Sequence, residues 1–386
     1  MKKMKERCVY VDYNATTPLR SEVKDAIVSD LEIYGNGSSL HMSGRHARAR
    51  IEEARKAVAL LLGSNPASII FTSGGSESNN AVFQTMRQLE SGRNEFITTQ
   101  IEHPCVLNSA KFTKEQGFKV HFIPVDEHGK IKMDAFKAAL SERTLFVSVM
   151  MANNETGTIQ DIKEIIRLAK EAGAYCHTDA VQALGKIPVN ITELGVDYLT
   201  VSAHKIYGPK GVGVLYIKKG SPFFPLIHGG HQEEGLRAGT YNNLGILGFG
   251  IAAGLALRDL NEYQKKTSAL RDRLRDGLSN KIPDIKINGH PVDTLPNTLN
   301  VSFAGAEGEA ILLSMDLEGI EASTGSACAS GSLEPSHVLL AMGIGPELAH
   351  GSIRFSLGWQ TNEEDVDYII EKLPPIIKKL RDMSTL

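Results

Sequence analysis

One lysine lies where a short apolar segment of the chain meets a run of glycines. Lys205 follows the predicted buried strand 196–201, and the glycines after it return the chain into a second predicted strand, 212–217. A lysine at the end of a buried strand loses hydration, which favours the neutral, nucleophilic amine. The position therefore predicts either a lysine that forms a Schiff base with an aldehyde cofactor or an ordinary loop lysine.

A cysteine lies in a segment of small polar residues near the C-terminal end. Residues 321–335 read EASTGSACASGSLEP, with Cys328 in the middle, and we expect a mobile, exposed loop because so few apolar side chains can be buried. An exposed thiol is either incidental or a reactive nucleophile. Cys105 is a second candidate, since the first turn of a predicted helix lowers a thiol's pKa, although packing is its alternative role. Cys8 and Cys176 adjoin or lie in predicted strands, and we interpret them as core residues.

A glycine-rich segment follows a short apolar strand and precedes a predicted helix. Residues 69–71 are apolar, and residues 72–80 read TSGGSESNN before the helical pattern resumes. Gly75 lets the backbone approach a ligand closely, Ser76 can cap the helix, and the first N–H groups of a helix favour an anion. The segment predicts a phosphate site, with an ordinary helix cap as the alternative.

Strands and helices alternate through most of the chain, which is typical of a parallel sheet built from right-handed strand–helix–strand units. We therefore expect an α/β fold. Five polar residues fall just beyond the carboxyl ends of predicted strands, and these ends line one crevice where ligands bind in an open sheet. The five residues are His103, Asn154, Asp179, Gln182 and Lys205.

The composition of the 386-residue chain is ordinary for a globular protein, with 42% hydrophobic residues, 23% charged residues and a net charge of −3. This charge argues against direct binding of nucleic acid or of an anionic membrane. The longest apolar stretch, 244–257, is shorter than the roughly 20 residues that span a bilayer, so we expect a buried helix. The cysteines are widely spaced and the first residues include no apolar secretory segment, so we expect a cytoplasmic protein.

A change in character near residue 261 predicts two domains. Residues 15–260 form the predicted large domain, and residues 1–14 and 261–386 form a smaller α+β domain that includes the cysteine loop. The last helix begins near Asn362, and we expect Pro374-Pro375 to interrupt it. No spacing of histidines and cysteines resembles a metal motif, so we expect no intrinsic metal.

Together these motifs resemble those of cysteine desulfurases of the NifS/IscS type, which are fold-type I relatives of the class-V aminotransferases. The resemblance extends over nearly the whole chain, and the long cysteine loop is similar to that of the first group of the family. The chain departs from the family at Gly75 and Ser76, where alanine and threonine are more common, at Ala238, where serine is, and at His231, where glycine is. The matching segments are DYNATTP, FTSGGSESNN, EHP, MMANNETGTIQ, HTDAVQ, SAHKIYGPKGVG, HGGHQE, LRAGT and GSACASGSLEPSHVLLAMG.

The resemblance implies pyridoxal 5′-phosphate as the cofactor and a role for each residue around it. Lys205 would hold the cofactor as a Schiff base and move a proton at the substrate, while Asp179 would pair with the pyridine nitrogen. Gln182 would hydrogen-bond the phenolic oxygen, and His103 would stack on the ring and move protons. The implied phosphate ligands are Gly75, Ser76, Ser202, His204 and, across the interface of a homodimer, Thr240 of the partner subunit.

Recognition of L-cysteine and transfer of its sulfur follow from the same resemblance. Arg354 and Asn154 would bind the substrate carboxylate, since a guanidinium matches a carboxylate with two parallel hydrogen bonds. Asn154 would also contact the cofactor, and Asn14 would lie beside the substrate. Cys328, with His103 as a candidate base, would attack the substrate sulfur, become a persulfide and leave L-alanine behind.

The resemblance also implies a sulfur acceptor, such as an iron–sulfur scaffold protein with which Cys328 would transiently ligate a cluster. A selenocysteine lyase or another class-V enzyme is the alternative reaction, although an aminotransferase has no use for Cys328. A non-enzymatic sulfur carrier or scaffold is the alternative class of protein. The presence of Lys205, Asp179, Gln182 and Arg354 argues against that class.

Overall fold

The computed structural model describes residues 7–324 and 334–383, and a large sheet lies at the centre of this part of the chain. Its strands are short and, apart from the edge strand at 119–123, almost entirely buried, as expected for a sheet covered on both faces. A short strand, β1 (Val9–Tyr10), comes first in the chain and lies outside this sheet. The strands of the sheet are β2 (Ile69–Thr72), β3 (Glu95–Thr99), β4 (Lys119–Ile123), β5 (Thr144–Ser148), β6 (Tyr175–Asp179), β7 (Tyr198–Ser202) and β8 (Gly213–Ile217).

Across the described residues, the seven strands of this sheet are ordered β2-β8-β7-β6-β5-β3-β4. Strands β3 to β7 pair in parallel with their neighbours, while β8 runs antiparallel to both β2 and β7. The predicted α/β fold with a mainly parallel sheet is therefore confirmed. Because the parallel strands point the same way, residues that follow their carboxyl ends meet along one edge of the sheet.

Helices cover the large sheet and bury an apolar stripe against it. In α6, for example, Ile162, Ile165, Ile166 and Ala169 are buried at helical spacing. Helix α2 ends at Gly63, whose φ of 64° is the left-handed conformation that favours glycine after a helix. The helices are α1 (Ser21–Ser29), α2 (Met42–Leu62), α3 (Gly75–Gln88), α4 (Pro104–Glu115), α5 (Met133–Ala139), α6 (Ile162–Glu171) and α7 (Ile191–Leu194).

The C-terminal part of the chain forms a second, antiparallel sheet with its own apolar core. Its strand order is β12-β10-β9, and the short strand β11 pairs in parallel with β1, which joins the N-terminal residues to this part. The strands are β9 (Ile285–Asn288), β10 (Thr298–Phe303), β11 (Ile320–Glu321) and β12 (Ser352–Ser356), with helices α9 (Gly308–Leu317), α10 (His337–Ala341), α11 (Pro346–His350) and α12 (Glu363–Met383).

One long helix, α8 (Asn243–Lys281), connects the two parts of the molecule. Phe249 and Ala253 belong to the core around the large sheet, whereas Leu270 and Leu274 belong to the core of the C-terminal sheet. The domain boundary predicted between residues 260 and 261 falls inside this helix and stays a prediction. Helix α8 is long and apolar enough to cross a membrane, yet half of its most apolar window is buried inside this fold, where it packs on α2.

The last helix differs from its prediction at two prolines. Helix α12 continues without interruption through Pro374 and Pro375, so the predicted break is wrong. Leu373 and Ile377, on either side of the pair, are buried in the C-terminal core. Burial of each such side chain stabilises by about 1.5–3 kcal/mol, which offsets the roughly 3 kcal/mol that a proline costs inside a helix.

Candidate active site

The carboxyl end of β6 presents a carboxylate whose two oxygens are both fixed by hydrogen bonds. Asp179, the last residue of β6, is 7% exposed. Its Oδ2 accepts a hydrogen bond of 2.7 Å from Asn79 Nδ2, and its Oδ1 accepts one of 2.9 Å from the backbone N–H of Val181. Asn79 is fully buried in α3, so this helix orients the carboxylate.

The same asparagine connects Asp179 to a histidine and a cysteine at the start of α4. Asn79 Nδ2 lies 3.2 Å from Cys105 Sγ, and Cys105 Sγ lies 3.0 Å from His103 Nδ1. His103 is the N-cap residue of α4, and its Nδ1 accepts a hydrogen bond of 3.2 Å from the backbone N–H of Cys105. These contacts join α3, α4 and the end of β6 into one polar cluster.

The environment of His103 favours its neutral form with the proton on Nε2. Burial is the main cause that lowers the pKa of this imidazole, with smaller contributions from the charges of Lys205 and His337, while Asp179 opposes them. Because Nδ1 accepts the Cys105 amide hydrogen, the proton of the neutral ring is assigned to Nε2. Protonation of Nδ1 therefore requires that this nitrogen first separate from the Cys105 amide.

A lysine and a glutamine meet at one backbone carbonyl of the N-terminal segment. Lys205, in the 3₁₀ turn that follows β7, donates from Nζ to Asn14 O at 2.7 Å and to Ala15 O at 2.6 Å. Gln182 Nε2 donates to the same Asn14 O at 2.9 Å. The segment around Asn14 thus brings together residues from the ends of two neighbouring strands, β6 and β7.

An arginine from the C-terminal sheet reaches the same segment. Arg354, in β12, is 2% exposed; its Nη1 donates to Asn154 O at 3.0 Å and its Nη2 pairs with Asp12 Oδ1 at 2.6 Å. Asn14 Nδ2 donates to Asn154 O as well, at 3.1 Å. The predicted substrate residues Arg354 and Asn14 therefore meet at the backbone carbonyl of the third, Asn154.

Close approach of the backbone shapes the start of α3 beside this cluster. A Cβ on Gly213 in β8 would lie 2.6 Å from the Gly74 Cα, and a Cβ on Gly75 would lie 3.1 Å from the Val181 side chain. Ser202, the last residue of β7, is buried and pairs with Gly213. The first N–H groups of α3 thus lie next to the ends of β6 and β7, where the helix dipole favours an anion.

Three further predicted residues differ in how the structure places them. His204 Nδ1 lies 3.2 Å from Thr16 Oγ1, and burial, followed by nearby lysine charges, lowers its pKa to about 4. Ser76 and Thr240 are exposed, the latter at the end of a loop that precedes α8. Cys328 and most of the loop expected at 321–335 lie outside the described residues.

Comparisons with known proteins agree on one family. Residues 9–369 match the model of the aminotransferase class-V family. The chain is 50% identical over 381 residues to the cysteine desulfurase IscS of Dictyoglomus turgidum. The aligned region covers 98% of this chain and 97% of that protein. The chain belongs to the cysteine desulfurase family. A solved structure described as a NifS-like protein superposes with a TM-score of 0.91 at 41% identity, covering 97% of this chain and 100% of that one.

A second solved structure, described as SspA in complex with cysteine, has a TM-score of 0.80 and 33% identity and covers 90% of this chain and 98% of that one. The cysteine desulfurases are pyridoxal phosphate enzymes, so the predicted cofactor is confirmed. The residues present fit this group chemically. They provide an amine at Lys205, an oriented carboxylate at Asp179 and, at Gly75, a helix start whose N-cap residue makes no side-chain capping hydrogen bond.

Three residues of the cluster were absent from the prediction or had another role in it. Asn79 had a signal, because it lies on the buried face of α3, one turn after the glycines. Cys105 had two alternative roles, nucleophile or packing residue; it packs against the apolar core and also touches His103. Lys186 is buried, and its only signal in the sequence was a lysine among the apolar residues of the segment ALGKIPV.

Proposed function

We propose that this cluster binds pyridoxal phosphate and L-cysteine, and that Cys328 receives the substrate sulfur as a persulfide. One observation carries the proposal. The amine of Lys205 and the amide of Gln182 donate to the same carbonyl oxygen, Asn14 O, while Asp179 lies three residues before Gln182 with both oxygens fixed. A pyridoxal ring is bound through an amine that forms a Schiff base and a charged partner for its pyridine nitrogen. The amide of Gln182 adds a hydrogen-bond donor beside these two groups.

When bound, the cofactor supplies an aldehyde that condenses with an amine and a ring that accepts electrons from the substrate α-carbon. Lys205 holds the cofactor and moves a proton at the α-carbon, and Asp179 keeps the pyridine nitrogen protonated. Gln182 donates to the phenolic oxygen. The start of α3, at Gly75 and Ser76, binds the phosphate through free N–H groups.

The remaining phosphate and cofactor contacts come from residues next to these groups. Ser202 directly precedes the turn that presents Lys205, and His204 lies within it, so both are close in sequence to the amine. Asn154 lies beside the cofactor and the substrate. Thr240 of the partner subunit completes the phosphate site, a role that its exposure on this chain permits.

Arg354 binds the carboxylate of L-cysteine, with Asn14 and Asn154 beside it. Its guanidinium is already oriented, since Asp12 and the Asn154 carbonyl each hold one of its nitrogens. A held guanidinium loses little rotational freedom when it binds a carboxylate, which favours recognition by paired hydrogen bonds.

His103 moves a proton during the reaction, and its position couples that step to the start of α4. The neutral imidazole carries its proton on Nε2, and uptake of a second proton at Nδ1 requires release of the Cys105 amide hydrogen. Burial keeps the ring neutral at physiological pH, so it is available as a base.

Transfer of sulfur then requires a thiolate. The Cys328 thiolate attacks the sulfur of bound L-cysteine, a sulfur–sulfur bond forms, the Cβ–sulfur bond breaks, and Cβ receives the electron pair and a proton to give L-alanine. Burial raises the pKa of Cys105 and of Cys176 to about 12, and it raises the pKa of Cys8 as well. These thiols are protonated at neutral pH, which favours Cys328 as the carrier.

We also propose that the enzyme is a cytoplasmic homodimer and that the acceptor is a protein of the iron–sulfur scaffold type. The reducing cytoplasm keeps a carrier thiol available, and widely spaced cysteines suit that compartment. A partner subunit would bring its own Thr240 to the phosphate end of each site.

The experiment is intact-mass spectrometry of the purified enzyme after brief exposure to L-cysteine without reductant. Wild type is expected to gain one or more sulfur atoms while alanine forms, and Cys328→Ala is expected to gain none. Cys8 is exposed, so the core position expected for it is wrong. Cys8→Ser is therefore the matched control, since it removes an exposed thiol in contact with Glu321 and should leave the sulfur gain unchanged.

Two results would contradict the proposal. A persulfide on Cys328→Ala would assign the carrier to another cysteine. Alanine formation by Lys205→Ala at the wild-type rate would show that the amine is not part of the chemistry.

A further inference from the structure

Lys186 is a buried lysine below the site, four residues after Gln182. It is 2% exposed and lies in the turn that follows β6. Its Nζ donates to Gln182 Oε1 at 2.5 Å and to Asn14 Oδ1 at 2.8 Å. Both named partners are amide side chains of the cluster that we assign to cofactor and substrate.

Burial of this ammonium is costly, and its two partners are neutral. Burial is the main cause that lowers the pKa of Lys186 well below its ordinary value, and the nearby charges that add to it are those of Lys205 and Arg354. A polar amine buried among amides and cations is unfavourable, in either protonation state, unless it provides something that an apolar side chain would not.

Lys186 provides a hydrogen-bond donor, and this donor determines which end of the Gln182 amide faces it. Lys186 Nζ donates one hydrogen to Gln182 Oε1 and one to Asn14 Oδ1, which even the neutral amine can supply, so the amide of Gln182 is held with its oxygen toward Lys186. The other end of the amide, Nε2, must then face Asn14 O, to which it donates at 2.9 Å. Reversal of this amide would place its NH₂ group against Lys186.

The amide of Asn14 is oriented in the same way. Its Oδ1 accepts from Lys186 Nζ and, at 3.1 Å, from Asn297 Nδ2. Its Nδ2 is therefore left to donate to Asn154 O and, at 2.9 Å, to Thr298 Oγ1. One lysine thus sets the orientation of two amides whose opposite ends face the site.

We propose that Lys186 is a positioning residue that fixes the amides of Gln182 and Asn14, so that Gln182 presents its N–H group to the phenolic oxygen of the cofactor. The proposal rests on the role in cofactor binding that we assign to Gln182. Lys186 does not touch the reacting atoms; it acts through the two amides.

The test compares the visible absorbance spectrum of the bound cofactor in four holoenzyme variants over a range of pH. These are Lys186→Met, which is similar in length but cannot donate, Gln182→Leu, the double variant, and Lys266→Met. Lys266, in α8, is the matched control. Its Nζ donates to the Trp359 carbonyl, and among the described residues it has no contact with Gln182 or Asn14. Melting temperature is measured for each.

Lys186→Met is expected to shift the absorbance maximum in the same direction as Gln182→Leu and at least half as far, and to lower kcat about tenfold, the effect of one lost hydrogen bond. The double variant is expected to match Gln182→Leu, because the two residues act in series. Lys266→Met is expected to lower the melting temperature without moving the spectrum.

The outcomes separate this inference from the proposed function. A spectrum that Gln182→Leu leaves unchanged would overturn the role of Gln182 itself. A spectrum that moves in Gln182→Leu but not in Lys186→Met, or effects that add in the double variant, would overturn the role of Lys186 alone. If Lys186→Met does not fold, Lys186→Leu replaces it; its side chain cannot donate either, so a shift in the same direction is expected and an unchanged spectrum overturns the inference.

Discussion

A carboxyl group next to His103 should make the stability of this enzyme fall as pH rises. Glu102 is fully buried; its Oε1 accepts hydrogen bonds of 2.8 Å from Thr99 Oγ1 and 2.9 Å from the Met150 N–H. Burial, with a smaller contribution from the charge of Asp179, raises its pKa from the ordinary 4.5 to about 8. The perturbation we would make is Glu102→Gln, which keeps the acceptor oxygen and removes the ionisation.

The sign and size follow from the two pKa values. Between pH 4.5 and 8 the unfolded chain has lost the Glu102 proton and the folded protein has kept it. The free energy of unfolding therefore falls by roughly 1.4 kcal/mol for each pH unit in this window, or about 5 kcal/mol in all. Below pH 4.5 the group contributes no pH dependence, and above pH 8 the loss is complete.

The assay is thermal unfolding of wild type and Glu102→Gln from pH 5 to pH 9, with excess pyridoxal phosphate. About 4 kcal/mol of this loss falls between pH 5 and pH 9. At about 2.1 cal/mol/K for each of 386 residues, the unfolding entropy is about 0.8 kcal/mol/K, so 4 kcal/mol corresponds to about 5 °C. The melting temperature of Glu102→Gln should rise relative to wild type by about this much from pH 5 to pH 9. Other titrating groups are shared by the two proteins and cancel in the difference.

Glu115→Gln is the matched control, since Glu115 is exposed at the end of α4 and its curve should follow that of wild type. A melting-temperature difference between Glu102→Gln and wild type that is the same at every pH would refute the reasoning. It would mean that Glu102 is ionised in the folded protein, in spite of its burial.

Three further predictions concern the site directly. Arg354→Lys keeps the charge but loses the paired geometry, so steady-state kinetics should show a KM for L-cysteine raised about tenfold or more with a smaller change in kcat; an unchanged KM would remove Arg354 from carboxylate binding. Cys105→Ala admits water beside His103 and relieves the burial that lowers its pKa, so the acidic limb of kcat/KM should move to higher pH by roughly half a unit to one unit; a shift to lower pH would contradict this. Gly213→Ala forces a Cβ to within 2.6 Å of the backbone at the start of α3, so the affinity for pyridoxal phosphate, measured by titration of the apoenzyme, should fall about tenfold or more. Gly254→Ala is the control: its Cβ meets nothing within 4 Å, and this variant should bind the cofactor as wild type does.

Much of the fold and part of the site could be predicted from the sequence because they depend on local pattern. Short apolar strands that alternate with helices of 3.6-residue period indicate a parallel sheet, whatever the exact packing. Residues such as Asp179 and Lys205 follow strand ends directly, so their meeting at one edge is a consequence of parallel strands. The helix break predicted at Pro374-Pro375 is wrong because it relied on the local effect of proline alone. Burial of the neighbouring residues in the C-terminal core outweighs that effect.

The sequence by itself determined the α/β architecture, the strand ends at which chemistry is placed and, through its motifs, the family and the cofactor. The tertiary structure decided which groups hold the reactive residues. Lys186 and Asn14 are 172 residues apart, and Asn79 and Asp179 are 100 apart, so no local pattern links them. Such partners are selected by burial, because a polar group removed from water must find a hydrogen bond wherever the folded chain brings one within reach.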